Sequence, residues 1–351
     1  MPKESSKNSS GESTSDRLGD RSQDRSIDPA MIPPEIVERM ESVRVEPDPP
    51  GDFEQFWRAT VDELDAIPIN LEIEPCEPPG GATDVECAVW RADSLGGRRI
   101  GGLLAVPRSG AIGQWVYGHG YGSVTSGVGW RIDIARAGFA AVGVDARGYN
   151  RSRLPGDPVV PGWILHGIED RSTYILRGAV ADTVRAVQVA RSLPGADPRR
   201  TVLYGKSFSG GLAVMAAPWI DDLRYVAVGV PTFGAYDLRR RLVERGSGAE
   251  INGLFATLDP DGARALRERL RYFDCVNFAP LIRSVDVTVG YGVVDPVVPG
   301  ETVAAIYHAV GSERKELLSF PCSHSTHPLA AEWSRFEAHV LERARTLVDG
   351  A

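Results

Sequence analysis

From position 99 onward the apolar residues of this chain fall into two alternating rhythms. Short apolar runs at 114–117, 139–144, 201–204, 225–230, 285–291 and 316–320 have the length and β-branched content of buried strands. Between them, apolar positions recur with a period near 3.6 and predict helices over 132–137, 173–193, 212–220, 301–310 and 329–347. The clearest is 173–193, where Ile175, Ala179, Val180, Val184, Val187 and Ala190 share one side. Strands alternating with helices predict a mostly parallel sheet covered on both faces. Ahead of this region, 52–67 reads as a helix with Asp52 as N-cap and Phe56, Val61 and Leu64 facing inward. Strand-like runs at 84–92 and 99–106 flank Ser94-Leu95-Gly96-Gly97, a hairpin that adds an antiparallel edge. A helical insertion over about 237–272 interrupts the alternation.

Residues 1–30 break the rhythm altogether. They are Ser, Asp, Arg, Gly and Lys with almost nothing apolar, so they read as a disordered polar tail ahead of a single domain over 31–351. No apolar core follows a basic start, so no signal peptide is expected, and the expected compartment is the cytoplasm with reduced thiols. The 351 residues are 42% hydrophobic and 25% charged, enough to bury a large core. A net charge of −8 argues against a nucleic-acid binder, and the absence of any run of roughly 18 apolar residues argues against a membrane span. Cys76, Cys87, Cys275 and Cys322 form no C-x-x-C pair, which excludes a zinc ribbon or a dense disulfide framework.

The chemistry concentrates at Val202-Leu203-Tyr204-Gly205-Lys206-Ser207-Phe208-Ser209-Gly210-Gly211-Leu212. An apolar strand ends at Gly205, Ser207 stands on a tight turn, and a helix begins within two residues. That is the context of a nucleophile elbow, in which the turn lifts a serine hydroxyl clear of the sheet. Ser209 occupies the place of the last glycine in G-x-S-x-G. A phosphate-binding loop is the rival reading of Gly205-Lys206-Ser207, but that motif needs glycine where Arg200 stands.

A serine hydroxyl needs an adjacent base, itself oriented by a carboxylate. Asp295 follows the strand 285–291, and His324 follows the strand 316–320, the order Ser, Asp, His that this arrangement requires. His324 is preferred to His327 because it lies nearer its strand end, whereas His327-Pro328 reads as the entry to the last helix. Cys322 beside it has no elbow and reads as a structural thiol. Oxyanion donors are expected from the backbone N–H of Phe208 and from Tyr121, in the loop Tyr117-Gly118-His119-Gly120-Tyr121-Gly122. Tyr149, Trp130 and Trp163 are candidate platforms for a sugar ring.

From about Asp52 to Leu347 the chain resembles the acetyl xylan esterase and cephalosporin-C deacetylase family, carbohydrate esterase family seven, of the α/β-hydrolase fold. The likeness rests on Asp52-Phe53-Glu54-Gln55-Phe56-Trp57, Gly101-Gly102-Leu103-Leu104-Ala105-Val106-Pro107, His119-Gly120-Tyr121, Asp145-Ala146-Arg147-Gly148 and the segment from Tyr272 to Pro280. It implies Ser207, Asp295 and His324 as the triad, with Tyr121 and Phe208 at the oxyanion. The departures are Tyr149 for the glutamine of Arg-Gly-Gln, Lys206, Phe208 and Ser209 in the Gly-Gly-Ser-Gln-Gly-Gly elbow, and Ser325 for the glutamate after the histidine. The resemblance also implies a cytoplasmic hexameric ring. The expected function is hydrolysis of a small-molecule carboxylic ester, an acetylated sugar or other small alcohol, without metal or organic cofactor, nucleic acid or membrane. An acyltransferase or lactonase using the same acyl-enzyme, and a non-catalytic binding protein on this fold, are the rival readings.

Overall fold

The structure is a computed structural model that describes residues 32–122, 127–243, 245–324 and 330–350. The polar tail and His327 lie outside the described residues. Among the described residues nine strands form one sheet: β1 (Glu72–Cys76), β2 (Val85–Ser94), β3 (Arg98–Pro107), β4 (Gly113–Tyr117), β5 (Phe139–Asp145), β6 (Thr201–Lys206), β7 (Leu223–Gly229), β8 (Asp286–Gly292) and β9 (Lys315–Phe320). Their spatial order is β1-β2-β3-β5-β4-β6-β7-β8-β9. The first three strands and β5 pair antiparallel, and every pair from β5 to β9 is parallel. This is the α/β-hydrolase sheet, with the hairpin β2–β3 where the sequence predicts it.

Among the described residues there are eleven α-helices: α1 (Pro34–Glu41), α2 (Phe53–Asp65), α3 (Ile132–Arg136), α4 (Ile175–Arg191), α5 (Phe208–Ala216), α6 (Tyr236–Leu242), α7 (Gly246–Thr257), α8 (Pro260–Leu270), α9 (Cys275–Phe278), α10 (Gly300–Ala309) and α11 (Ala330–Asp349). Successive residues of a strand point to opposite faces. On β6, Tyr204 donates to Glu337 of α11 at 3.2 Å, whereas a Cβ at the next residue, Gly205, would collide with Ser209 of α5. Helices α5 and α11 therefore cover opposite faces. Parallel strands buried on both sides read as near-continuous apolar runs, and β4, β5 and β8 are buried at every residue.

Where the structure departs from the sequence reading, local polarity is the cause. The edge strand β1, Glu-Ile-Glu-Pro-Cys, is almost wholly exposed and carries no apolar alternation; Pro75 is tolerated because an edge leaves N–H groups unpaired. Helix α1 has no buried residue to betray it. Helix α2 buries Phe53, Trp57, Thr60 and Leu64, so Phe56 and Val61 sit at the margin of its inner face rather than its centre. Asp52 stands at the N-cap position, but its carboxylate accepts from the Tyr272 hydroxyl and pairs with Arg171 instead of capping. Helix α5 begins at Phe208, earlier than the apolar pattern suggests, because it starts directly out of the turn at Ser207. Between β7 and β8 the insertion is three helices, α6 to α8.

One buried polar cluster joins the antiparallel and parallel halves. Asp182 of α4 accepts from Ser94 Oγ on β2 at 2.7 Å. It also receives the Arg147 fork, from Nε at 2.9 Å and Nη2 at 2.8 Å, and the Arg147 backbone N–H at 3.1 Å. Both side chains are largely buried, and Gly178 lies where any side chain would collide with the guanidinium. The Arg147-Gly148 signature thus anchors the loop after β5 to α4. Removing one partner of a buried ion pair leaves the other unneutralised, which typically costs about 3–5 kcal/mol. Asp182→Ala is expected to lower the unfolding free energy by about 3 kcal/mol or more in urea titrations. A change below about 0.5 kcal/mol, the usual range for a surface substitution, would show that the cluster does not hold these elements together.

Candidate active site

The candidate site lies at the carboxyl ends of the parallel strands, where open α/β sheets place their ligands. Ser207 follows β6, Asp295 follows β8, His324 follows β9, and Tyr121 lies in the loop after β4. Ser207 sits at φ +56°, ψ −117°, a left-handed conformation that a residue with a Cβ rarely adopts. Three backbone bonds hold it there. Its N–H donates to Gly229 O at 2.8 Å, and its carbonyl accepts from Gly211 N at 3.0 Å and Thr232 N at 3.2 Å. At Gly205 the strand passes so close to the Ser209–Gly210 peptide that only glycine fits.

Ser209, the departure from G-x-S-x-G, acquires a physical reason here. Its Oγ accepts from Lys206 N at 3.0 Å and donates to Lys206 O at 3.1 Å, closing the elbow through a side chain. Its own N–H donates to His119 O at 3.2 Å, tying the elbow to the glycine-rich loop.

The three side chains singled out by strand position meet in one chain of hydrogen bonds. His324 Nδ1 lies 2.7 Å from Asp295 Oδ2, and His324 Nε2 lies 2.9 Å from Ser207 Oγ. The carboxylate accepts a hydrogen bond from Nδ1–H, which leaves the Nε2 lone pair facing the hydroxyl. The other carboxylate oxygen accepts from Val297 N at 2.8 Å and Val298 N at 2.9 Å, which fixes its plane. Asp295 is buried, and Val294 N–H donates to Cys322 O at 3.2 Å, so the acid loop and the histidine loop share a backbone bond. Such an arrangement can draw a proton from the serine hydroxyl as it attacks an electrophile. Cys322 is fully buried, and burial pushes its thiol up to about 12, so it is no rival nucleophile.

The glycine-rich loop is organised by His119, which the sequence reading treats only as part of that loop. Ala146 N–H donates to its Nε2 at 3.1 Å, so the proton sits on Nδ1, which donates to Gly120 O at 2.9 Å. Burial holds this imidazole below the usual histidine range. Phe208 is the first residue of α5, where backbone N–H groups have no intrahelical acceptor. Burial pushes the Tyr121 phenol well up, and its oxygen accepts from Ile164 N at 3.3 Å. Glu250 of α7 lies against that phenol and accepts from Gly162 N at 2.6 Å. No local pattern in the sequence marks Glu250.

The proposed sugar platform needs correction. Tyr149 and Trp163 are both 0% exposed. Their rings lie 5.5 Å apart, Tyr149 is 4.4 Å from His119, and Trp163 stands edge-on to Phe208 at 5.1 Å. They form an aromatic wedge beneath the glycine-rich loop and offer no open face to a ligand. Trp130 is half-buried against the core. Among the described residues no cluster of three His, Cys, Asp or Glu side chains could hold a metal, and no helix is long and apolar enough to cross a membrane.

Comparison with known proteins agrees with this architecture. The family model described as Acetyl xylan esterase (AXE1) matches residues 31–335. A curated relative, the acetyl esterase Axe7A of Xylanibacter ruminicola, is 23% identical over 306 residues, spanning 84% of this chain and 66% of the relative. This chain therefore spans just under two thirds of that relative's length. Acetyl xylan esterase 1 from a Thermoanaerobacterium species superposes with a TM-score of 0.75 at 23% identity, covering 87% of this chain and 98% of the other. The acetyl xylan esterase of a Paenibacillus species gives 0.74 at 23% identity, with 86% and 99% covered. These superpositions establish the shared fold, and the family match over most of its length places the chain in the acetyl xylan esterase family.

Proposed function

We propose that this protein is a serine carboxylic-ester hydrolase that removes the acetyl group from an acetylated sugar or other small alcohol. The observation that carries this reading is the hydrogen-bonded chain Asp295–His324–Ser207, built on a strained elbow at the carboxyl edge of the sheet. Family membership supports the acetyl ester as the bond cleaved. Ser207 Oγ attacks the ester carbonyl while His324 Nε2 takes its proton, and Asp295 stabilises the resulting imidazolium. The tetrahedral oxyanion rests against the backbone N–H groups of Tyr121 and Phe208. Collapse expels the alcohol with the proton from His324. Water, activated by the same imidazole, then releases acetate from Ser207.

The trans peptide Gly120–Tyr121 explains why His119 matters to this scheme. In a trans peptide the C=O and N–H point in opposite directions. By holding Gly120 O at 2.9 Å, His119 Nδ1–H fixes where the Tyr121 N–H points. A donor of this kind, when lost, typically costs about 3–4 kcal/mol of transition-state stabilisation.

Ser207→Ala is expected to lower kcat for p-nitrophenyl acetate by a factor on the order of a million, as a triad acting as one unit requires. A fluorophosphonate probe should label the wild-type chain at Ser207 and leave the variant unlabelled. Substantial residual turnover with labelling elsewhere would show that another residue is the nucleophile.

A second expectation concerns pH and stability. The unfolded chain protonates His119 near pH 6.5, whereas the folded chain resists protonation to a lower pH because the ring is buried. Its contribution is therefore complete above about pH 6.5 and is lost as pH falls through the folded value. Urea titrations between pH 7.5 and 5.0 should show a steeper loss of stability in the wild type than in His119→Gln, by up to about 1.4 kcal/mol per pH unit. Equal slopes would mean that His119 does not stay neutral in the fold.

A further inference from the structure

Arg239 of α6 is 3% exposed, yet Nε, Nη1 and Nη2 all lack a hydrogen-bond partner among the described residues. A guanidinium cannot shed its charge in a protein, and a buried charge without a partner is strongly disfavoured. Two buried carboxylates lie within electrostatic reach, Asp274 and Asp295, and both are engaged elsewhere. Asp274 accepts from the backbone N–H groups of Ala235, Tyr236 and Val276. Asp295 serves His324, Val297 and Val298.

The surroundings share this unmet capacity. The hydroxyls of Tyr236 and Tyr174, both within electrostatic reach of Arg239, also lack partners among the described residues, as does Thr232 Oγ1. On α7, Gly248 leaves the room that the guanidinium occupies, because a Cβ there would stand 3.0 Å from both Nε and Nη2. The guanidinium connects to the elbow through two ring contacts. Arg239 Cζ lies 5.9 Å from the Phe233 ring centroid, and that ring stands edge-on to Phe208 at 5.9 Å. Thr232 N–H donates to the Ser207 carbonyl.

We propose that Arg239 binds a carboxylate on the alcohol part of the substrate, so that the preferred ester is the acetyl ester of an acidic alcohol such as a sugar acid. A planar fork of N–H donors matches the two oxygens of a carboxylate. The inference rests on the acetyl-ester reading above: an acetyl group carries no charge, so the negative group recognised at Arg239 belongs to the alcohol. The unpartnered hydroxyls of Tyr174 and Tyr236, within electrostatic reach of the guanidinium, add donors for such a ligand, and a neutral alcohol would leave the guanidinium uncompensated.

The test compares acetate release from O-acetylated methyl glucuronide and O-acetylated methyl glucoside, with p-nitrophenyl acetate and p-nitrophenyl hemisuccinate as further arms. Wild-type enzyme should favour the glucuronide by at least about tenfold in kcat/KM, the order expected of one charge-assisted contact. Arg239→Met should abolish that ratio, and Arg239→Lys should retain part of it. Sodium glucuronate should also raise the Tm of the wild type where glucose does not, a readout that survives if Arg239→Met fails to fold. Turnover of p-nitrophenyl acetate with no preference for the glucuronide would overturn the role of Arg239 while leaving the hydrolase reading intact. A charge preference confined to the hemisuccinate, or a Tm rise with inorganic phosphate alone, would overturn it as well. No turnover of any ester would instead overturn the hydrolase reading, and this inference with it.

Discussion

Ser207 occupies a backbone conformation that costs a residue with a side chain about 1–3 kcal/mol, and the architecture around it exists to hold it there. The strand β6 delivers it, α5 leads away from it, and three backbone hydrogen bonds from Gly211, Thr232 and to Gly229 leave it no alternative. Relaxing the turn would swing the hydroxyl away from His324. The elbow can be so tight only because Gly205 has no side chain and because Ser209 stitches the turn to Lys206 with its own hydroxyl. A strained residue persists when its neighbours over-determine it, and that condition is met here on every side.

Two histidines beside this turn show how surroundings divide labour between identical side chains. His324 has a carboxylate on one nitrogen and a hydroxyl on the other, so a proton arriving at Nε2 would be compensated by Asp295. His119 has only backbone partners, accepting from Ala146 and donating to Gly120, and burial works against its charged form. One ring is placed to carry a proton during the proposed reaction; the other acts as a neutral brace for the loop. Arg239 adds a third case, a permanent charge whose nearest carboxylates are already occupied.

Much of this was legible in the linear chain. Parallel strands buried on both faces are mostly apolar, which is why β4 to β8 stand out, and the residues after β6, β8 and β9 follow from strand ends alone. What escaped the sequence reading escaped for physical reasons. Strand β1 is exposed and carries no apolar alternation, and helix α1 is only two turns long, with Ile36, Val37 and Met40 half-buried on one side. Tyr149 and Trp163 read as a ligand platform because aromatic residues near glycine loops are ambiguous; only packing against His119 and Phe208 shows that they are core. Glu250 and Arg239 sit on short helices of the insertion, where no local pattern singles them out. Their meaning comes from contacts 88 or more residues away in the chain or from partners they lack among the described residues.

The central claim is that Ser207 forms a covalent acyl-enzyme through His324. Rapid acid quenching after mixing with p-nitrophenyl acetate, followed by mass analysis of the digested protein, tests it most directly. The account predicts the added mass of one acetyl group on the peptide containing Ser207, appearing as fast as the first equivalent of nitrophenolate and absent from His324→Ala. Ester turnover with no acetylated peptide, or acetylation at another residue, would contradict it.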